Sequence, residues 1–214
     1  MWRHEWKINS TWAYLAPLAI LVIFLLDLWE ATHRAPVPFP PRIDKVYEVL
    51  EVMWPLVLGL AAAMPLPLEK EQGTLEFRLS YPRPLWRTVV MKLSLPYVFW
   101  AGIGVGTALW LDQTYLSLTP GTAAALVLPP ALFLGGLGVM ASAVTLNALS
   151  SQLVVALCWA WDLTTASRQS GLLALFPYLM RVEDLNLTVN RWLLTGLGAA
   201  MHVGAVIALS RRRP

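Results

Sequence analysis

Glu69–Lys92 reads EKEQGTLEFRLSYPRPLWRTVVMK. The stretch is acidic in its first half and basic in its second. It separates two apolar runs, roughly Val46–Leu66 and Thr88–Leu111. Each run is long enough to cross a bilayer, for which about 20 apolar residues suffice. A charged segment between two such runs predicts helices that have lipid as their solvent, with a polar loop on one side of the membrane. Ordering so many charges on one side brings little unless something docks there.

Composition agrees. Of 214 residues, 57% are hydrophobic and 14% charged, against about 25% charged in an ordinary globular domain. The net charge of +3 is too small to indicate a nucleic-acid partner. The single cysteine, Cys158, lies in an apolar run, so this chain alone builds neither a disulfide framework nor a cysteine zinc site. With no internal repeat, residues 1–214 read as one membrane domain.

Working outward from the loop, six spans can be drawn. The first is about Thr11–Trp29, preceded by MWRHEWKINS, a short amphipathic segment over residues 1–10. A signal peptide is the rival reading, but no small-x-small cleavage site follows the run. A proline-rich connection, APVPFPPRIDK, leads to the second span, Val46–Leu66. There Glu48 and Glu51 are expected among the headgroups, and Pro65 and Pro67 are expected to end the helix. The third span, Thr88–Leu111, carries Gly102, Gly104 and Gly106 for close helix contact. The fourth, Thr122–Ala148, is interrupted by Pro129-Pro130 and Gly135-Gly136; the fifth, Gln152–Thr165, is short; the sixth is Trp192–Leu209.

Lys and Arg placement orients the chain. With six spans both termini share a side, which holds Arg3, Lys7, Lys70, Arg78, Arg83, Arg87, Lys92, Arg211, Arg212 and Arg213, ten in all. The other side holds six: Arg34, Arg42, Lys45, Arg168, Arg181 and Arg191. The bias predicts a multi-pass cell-membrane protein with both termini and the 69–92 loop in the cytoplasm. Trp12, Trp29, Trp86, Trp110 and Trp192 fall near the predicted interfaces, where an aromatic belt sits.

Within the loop, Leu68, Leu75 and Leu79 share one helical stripe, and Glu69, Gln72 and Glu76 form a polar stripe beside it. The spacing predicts an amphipathic helix on the cytoplasmic surface with its carboxylates toward the cytosol. Read on physics alone, it is either an interfacial connector or a docking element. The run EKEQGTLEFRLSYPRP, followed by Lys92 at the start of a span, resembles the loop between spans two and three of type 2 ATP-binding-cassette permeases. Glu69, Glu71, Gly73, Thr74, Leu75, Glu76, Leu79, Pro82 and Lys92 match that family's pattern; Met91 stands where the family commonly has Gly.

The resemblance implies an all-α polytopic membrane protein. It would have six transmembrane helices, a coupling helix at 69–80 and a re-entrant segment, extracellular at 167–190, before the last helix. It implies that Glu69, Glu71, Gly73, Thr74, Leu75, Glu76 and Leu79 contact a separate cytoplasmic ATPase, with residues 2–9 as a second contact. ATP and magnesium would be held on that ATPase. The other implied partners are a second permease copy or a homologous permease, within membrane lipid. Family members export drugs, peptides, lipids, polysaccharides or haem.

The chain's own residues add exclusions. A Walker A loop needs Gly-Lys-[Ser/Thr] to cradle phosphates, and none of Lys7, Lys45, Lys70 and Lys92 follows a glycine. Nor are H-E-x-x-H, G-x-S-x-G or G-x-G-D present, so an enzyme is disfavoured. An accessory or scaffold membrane subunit without transport activity of its own is the alternative to a permease.

Charged and polar groups inside spans are candidates by default. Lys92 and Asp27 are close enough to span ends to reach the interface. Asp162 and His202 are deeper, and could form helix–helix hydrogen bonds or line a substrate pathway. Asn186-Leu187-Thr188 fits a glycosylation sequon that nothing else supports. Finally, the fifth span and Gly171–Met180 are each too short to cross alone. They predict a span that stops early and a re-entrant hairpin; the alternative is one helix running unbroken from Gln152 to Leu175.

Overall fold

A computed structural model describes residues 47–80, 120–167, 169–180, 182 and 185–212, with scattered positions between 18 and 30 and between 86 and 109. The described residues are helical or irregular, with no strand among them. The amphipathic segment at 1–10, most of the first span, the proline-rich connection, Lys92, Asp27 and most of the third span lie outside the described residues.

Among the described residues, three helices are long and apolar enough to cross a membrane: Leu50–Glu71, Ala124–Thr145 and Leu187–Ser210. The chain is therefore an all-helical membrane protein. Its elements in order are a π-helical turn Glu48–Met53, α1 (Trp54–Ala62), α2 (Pro65–Glu71), α3 (Thr74–Ser80), α4 (Pro120–Thr145), α5 (Ala148–Thr164), a 3-10 turn Gly171–Leu173, α6 (Pro177–Met180) and α7 (Leu187–Ser210).

Proline chemistry explains the first crossing. In a regular α-helix the ring of Pro55 would press on the carbonyl of residue 51, four positions back. The wider π turn Glu48–Met53 sits immediately before it and relieves that crowding. Pro65 and Pro67 were expected to end the helix, but they open the next one. Pro65 occupies the first turn of α2, where a missing N–H costs nothing. The break itself falls at Ala63-Met64.

The expected interruption of the fourth span is also absent. α4 runs unbroken for 26 residues with Pro129 and Pro130 inside it. Its glycines serve packing. A Cβ on Gly136 would stand 2.6 Å from the carbonyl oxygen of Gly198, and one on Gly198 2.5 Å from that of Leu132. Gly59 and Gly138 are equally tight between α1 and α4, where a Cβ on Gly138 would lie 2.8 Å from the Gly59 carbonyl oxygen. Lipid tails are as apolar as leucine, so helices in a bilayer associate through such close backbone approach. Of the three glycines expected to pack the third span, Gly104 does so against the Trp54 indole; among the described residues, Gly102 and Gly106 meet nothing within 4 Å.

These contacts fix directions. Leu58 and Ala63 meet Gly135 and Gly138, so α1 runs parallel to α4. Gly198, Gly204 and Arg212 meet Gly136, Met140 and Val144 in turn, so α7 is parallel to α4 as well. α5 returns antiparallel: Val155 abuts Gly59, and Trp159 Nε1 donates to the Val52 carbonyl at 2.9 Å. One end of the bundle thus gathers α2, α3, Thr145 and Ser210. The other gathers Glu51, Asp162, residues 165–167 and 169–180, and the start of α7.

α5 and α7 both begin earlier than their apolar runs. Asn147 accepts from Ser150 N at 2.9 Å and Asn186 from Val189 N at 3.2 Å. Each supplies the side-chain oxygen that a first turn lacks. At 17 residues, α5 reaches about 25 Å at 1.5 Å per residue, short of the roughly 30 Å hydrocarbon core. It stops at Thr164, and Ala166 and Ser167 turn the chain with positive φ of 50° and 57°. No unbroken helix extends to Leu175.

Candidate functional site

The motif segment lies at the α2–α3 end as two short helices rather than one. Gly73, at φ +67°, turns the chain where a side chain would be strained. Thr74 Oγ1 donates to the Glu69 carbonyl across the turn at 3.2 Å. Because the break rotates α3 relative to α2, a single helical stripe does not persist through it. Leu75 and Leu79 are buried, but with Leu66 rather than Leu68, against Val139, Ala143, Ala205 and Leu209. Glu69, expected to face the cytosol, is 1% exposed. Lys70, Glu71, Gln72 and Gly73 are exposed, and Thr74 is half-buried. The side chain of Glu76 lies outside the described residues, as does Pro82. Of the site residues drawn from the motif, Glu71 and Gly73 lie in an exposed turn, Leu75 and Leu79 are apolar anchors beneath it, and Glu69 is buried.

Arg211 and Arg212 share this end and are exposed. The Arg212 guanidinium donates to the carbonyl of Val144, in the last turn of α4, where a cation complements the helix dipole.

Apart from Glu69, the charged groups buried among the described residues lie at the opposite end. Asp162 is 2% exposed. Its Oδ2 accepts from Ser167 Oγ and from Leu175 N, both at 2.8 Å, and its Oδ1 accepts from Ser170 Oγ. Glu51, expected among headgroups, is 0% exposed. One of its oxygens accepts from Arg191, while the other accepts from Tyr178 N at 3.1 Å and Leu179 N at 3.0 Å. Arg191 also stands 5.6 Å from the Tyr178 ring centroid. Asn190 Nδ2 donates to the carbonyls of Leu172 and Ala174, each at 2.9 Å. An uncompensated charge at membrane depth is costly; here each carboxylate oxygen has a donor.

The two pathway candidates are not brought together. Asp162 belongs to this end cluster, whereas His202 faces the middle of the bundle. Its Nδ1 lies 2.6 Å from the Gly198 carbonyl oxygen, which requires a proton on Nδ1. Nε2 then accepts from the Tyr97 hydroxyl at 2.9 Å. Both groups are thus spent on internal hydrogen bonds. Among the described residues, no group of three His, Cys, Asp or Glu side chains could hold a metal ion.

Sequence reasoning missed Glu51, Tyr97, Asn190 and Arg191. A signal for two of them was present. Glu51 and Arg191 carry opposite charges at the starts of two apolar runs, and such groups in a membrane protein pair with one another.

Comparisons with family models, with curated proteins and with solved structures find no match.

Proposed function

We propose that the chain is the membrane-spanning permease subunit of an ATP-binding-cassette exporter. Residues 69–80 couple it to a separate cytoplasmic ATPase that carries ATP and magnesium, and a second copy or a homologous permease completes the translocation path. The observation that carries this reading is the mounting of the motif segment. Its exposed turn, Lys70–Gly73, stands on Leu75 and Leu79, which are buried against the ends of α4 and α7. A turn pinned to two crossing helices moves with them, so a push on it reaches the bundle interior; a slack connector would absorb the push.

The charge bias supports placing this turn in the cytoplasm. Arg191, counted on the poorer side, is ion-paired inside the bundle.

A second reading, an accessory or scaffold subunit, is favoured by the engagement of Asp162 and His202 in internal hydrogen bonds. Affinity purification from native membranes in mild detergent, followed by mass spectrometry, separates the two. The permease reading expects a stoichiometric ATPase bearing a phosphate-cradling loop. Its absence from an intact membrane complex favours the scaffold.

A further inference from the structure

We propose that residues 171–180 form a strap that leaves the bundle as a unit, latched by Glu51 and Arg191. The proposal does not depend on the permease reading.

The strap's attachments are of one kind. Its own backbone bonds are local, such as Leu173 N to Ser170 O and Met180 N to Phe176 O. Among the described residues, no backbone–backbone hydrogen bond joins it to α1, α5 or α7. Among the described residues, its polar tethers to the π turn, α5 and α7 are side chains: Asp162 on Leu175 N, Asn190 on the Leu172 and Ala174 carbonyls, and Glu51 on Tyr178 N and Leu179 N. Arg191 adds a long 3.5 Å contact to the Leu175 carbonyl. A segment held this way separates from the helices without breaking any helical ladder.

Three further features set the seated state close to release. Ala166 and Ser167, just ahead of the strap, adopt positive φ, a conformation that non-glycine residues hold only when their surroundings impose it. Asp162 imposes it through Ser167. Next, the buried network is incomplete: Arg191 Nε and Asn190 Oδ1 have no partner among the described residues while the strap is seated, and an unpaired buried polar atom weakens the state that buries it. Lastly, Glu51 projects from a π-helical turn, a rare geometry that recurs at functional positions.

Glu51 is the pivotal group because it performs two tasks at once. It neutralises Arg191 and accepts the first two N–H groups that α6 presents to the bundle. Leu175 and Phe176, buried beside Phe133, Val155 and Leu194, supply the apolar plug that the latch holds in place.

The test uses the full chain in lipid nanodiscs, in a Cys158→Ala background, with a maleimide reporter. Ala174→Cys reports on the strap and Ala143→Cys on the opposite end; both alanines are fully buried. The double variant Glu51→Leu/Arg191→Leu removes both charges, so no lone buried ion remains to unfold the bundle. The expected result is labelling at 174 faster by at least about tenfold, with labelling at 143 unchanged. Continued protection of 174 would overturn the proposal, as would equal exposure of 143 and 174. Should the double variant not fold, hydrogen exchange in the unsubstituted chain decides. The amides of Leu175, Tyr178 and Leu179 are expected to exchange together, ahead of those at 131–143; exchange at a common rate overturns the strap.

Discussion

The two ends of the bundle treat their charges in opposite ways. At the Asp162 end, two carboxylates and a guanidinium are buried, and each carboxylate oxygen meets a donor. At the Gly73 end, Lys70, Glu71, Arg211 and Arg212 are exposed; Glu69 is the buried exception, and the rest of the burial there is mainly leucine, alanine and valine. Charges of the first kind hold irregular backbone at membrane depth, where nothing else could satisfy it. Those of the second kind are presented to whatever lies outside. That contrast is what led us to propose partner contact at the Gly73 end.

Substitutions can break or sharpen that contrast. The largest effect is expected for Arg191→Met, which leaves Glu51 buried beside no cation. Loss of one partner of a buried pair costs about 3–5 kcal/mol, readable as a lowered unfolding midpoint in detergent. Asp162→Ala comes next, because it orphans the Leu175 N–H and two hydroxyls. About 1–3 kcal/mol is expected, with faster proteolysis within 165–180 as the accompanying sign.

At the other end the effects shrink. Gly73→Ala meets open space but keeps a positive φ, so only backbone strain of about 1–2 kcal/mol is expected, again from the unfolding midpoint. Glu71→Lys should change stability by less than about 0.5 kcal/mol, while weakening ATPase co-purification. A large stability loss from Glu71→Lys would erase the distinction between the ends.

Much of the framework was legible in the sequence. Apolar runs located the crossings at Leu50–Glu71, Ala124–Thr145 and Leu187–Ser210, because lipid solvation demands long unbroken hydrophobicity. The shortness of α5 was legible for the same reason. Local chemistry was harder to read. Pro65 and Pro67 read as stops because a proline ends one helix and starts another with the same residue type. Pro129-Pro130 and Gly135-Gly136 read as an interruption, yet α4 continues through them, since tight neighbours such as Gly198 compensate.

Asn147 and Asn186 lengthened α5 and α7 through side-chain caps that an apolar-run criterion ignores. The hydrogen-bond partners of Asp162 lie five to thirteen residues away, within a stretch with no regular period to follow. Glu51 and Arg191 are 140 positions apart, and only the fold sets them face to face. The 69–80 segment was legible as helical; the turn at Gly73 that splits it into two helices, with Glu69 buried and Glu71 exposed, was not.

The most direct measurement is photo-cross-linking from position 72, an exposed site in the motif turn, in native membranes. The expected result is a single dominant adduct with a cytoplasmic ATPase, lost in the Glu71→Lys variant. Adducts with lipid alone, from a chain shown to be inserted and folded, would contradict the coupling role of residues 69–80.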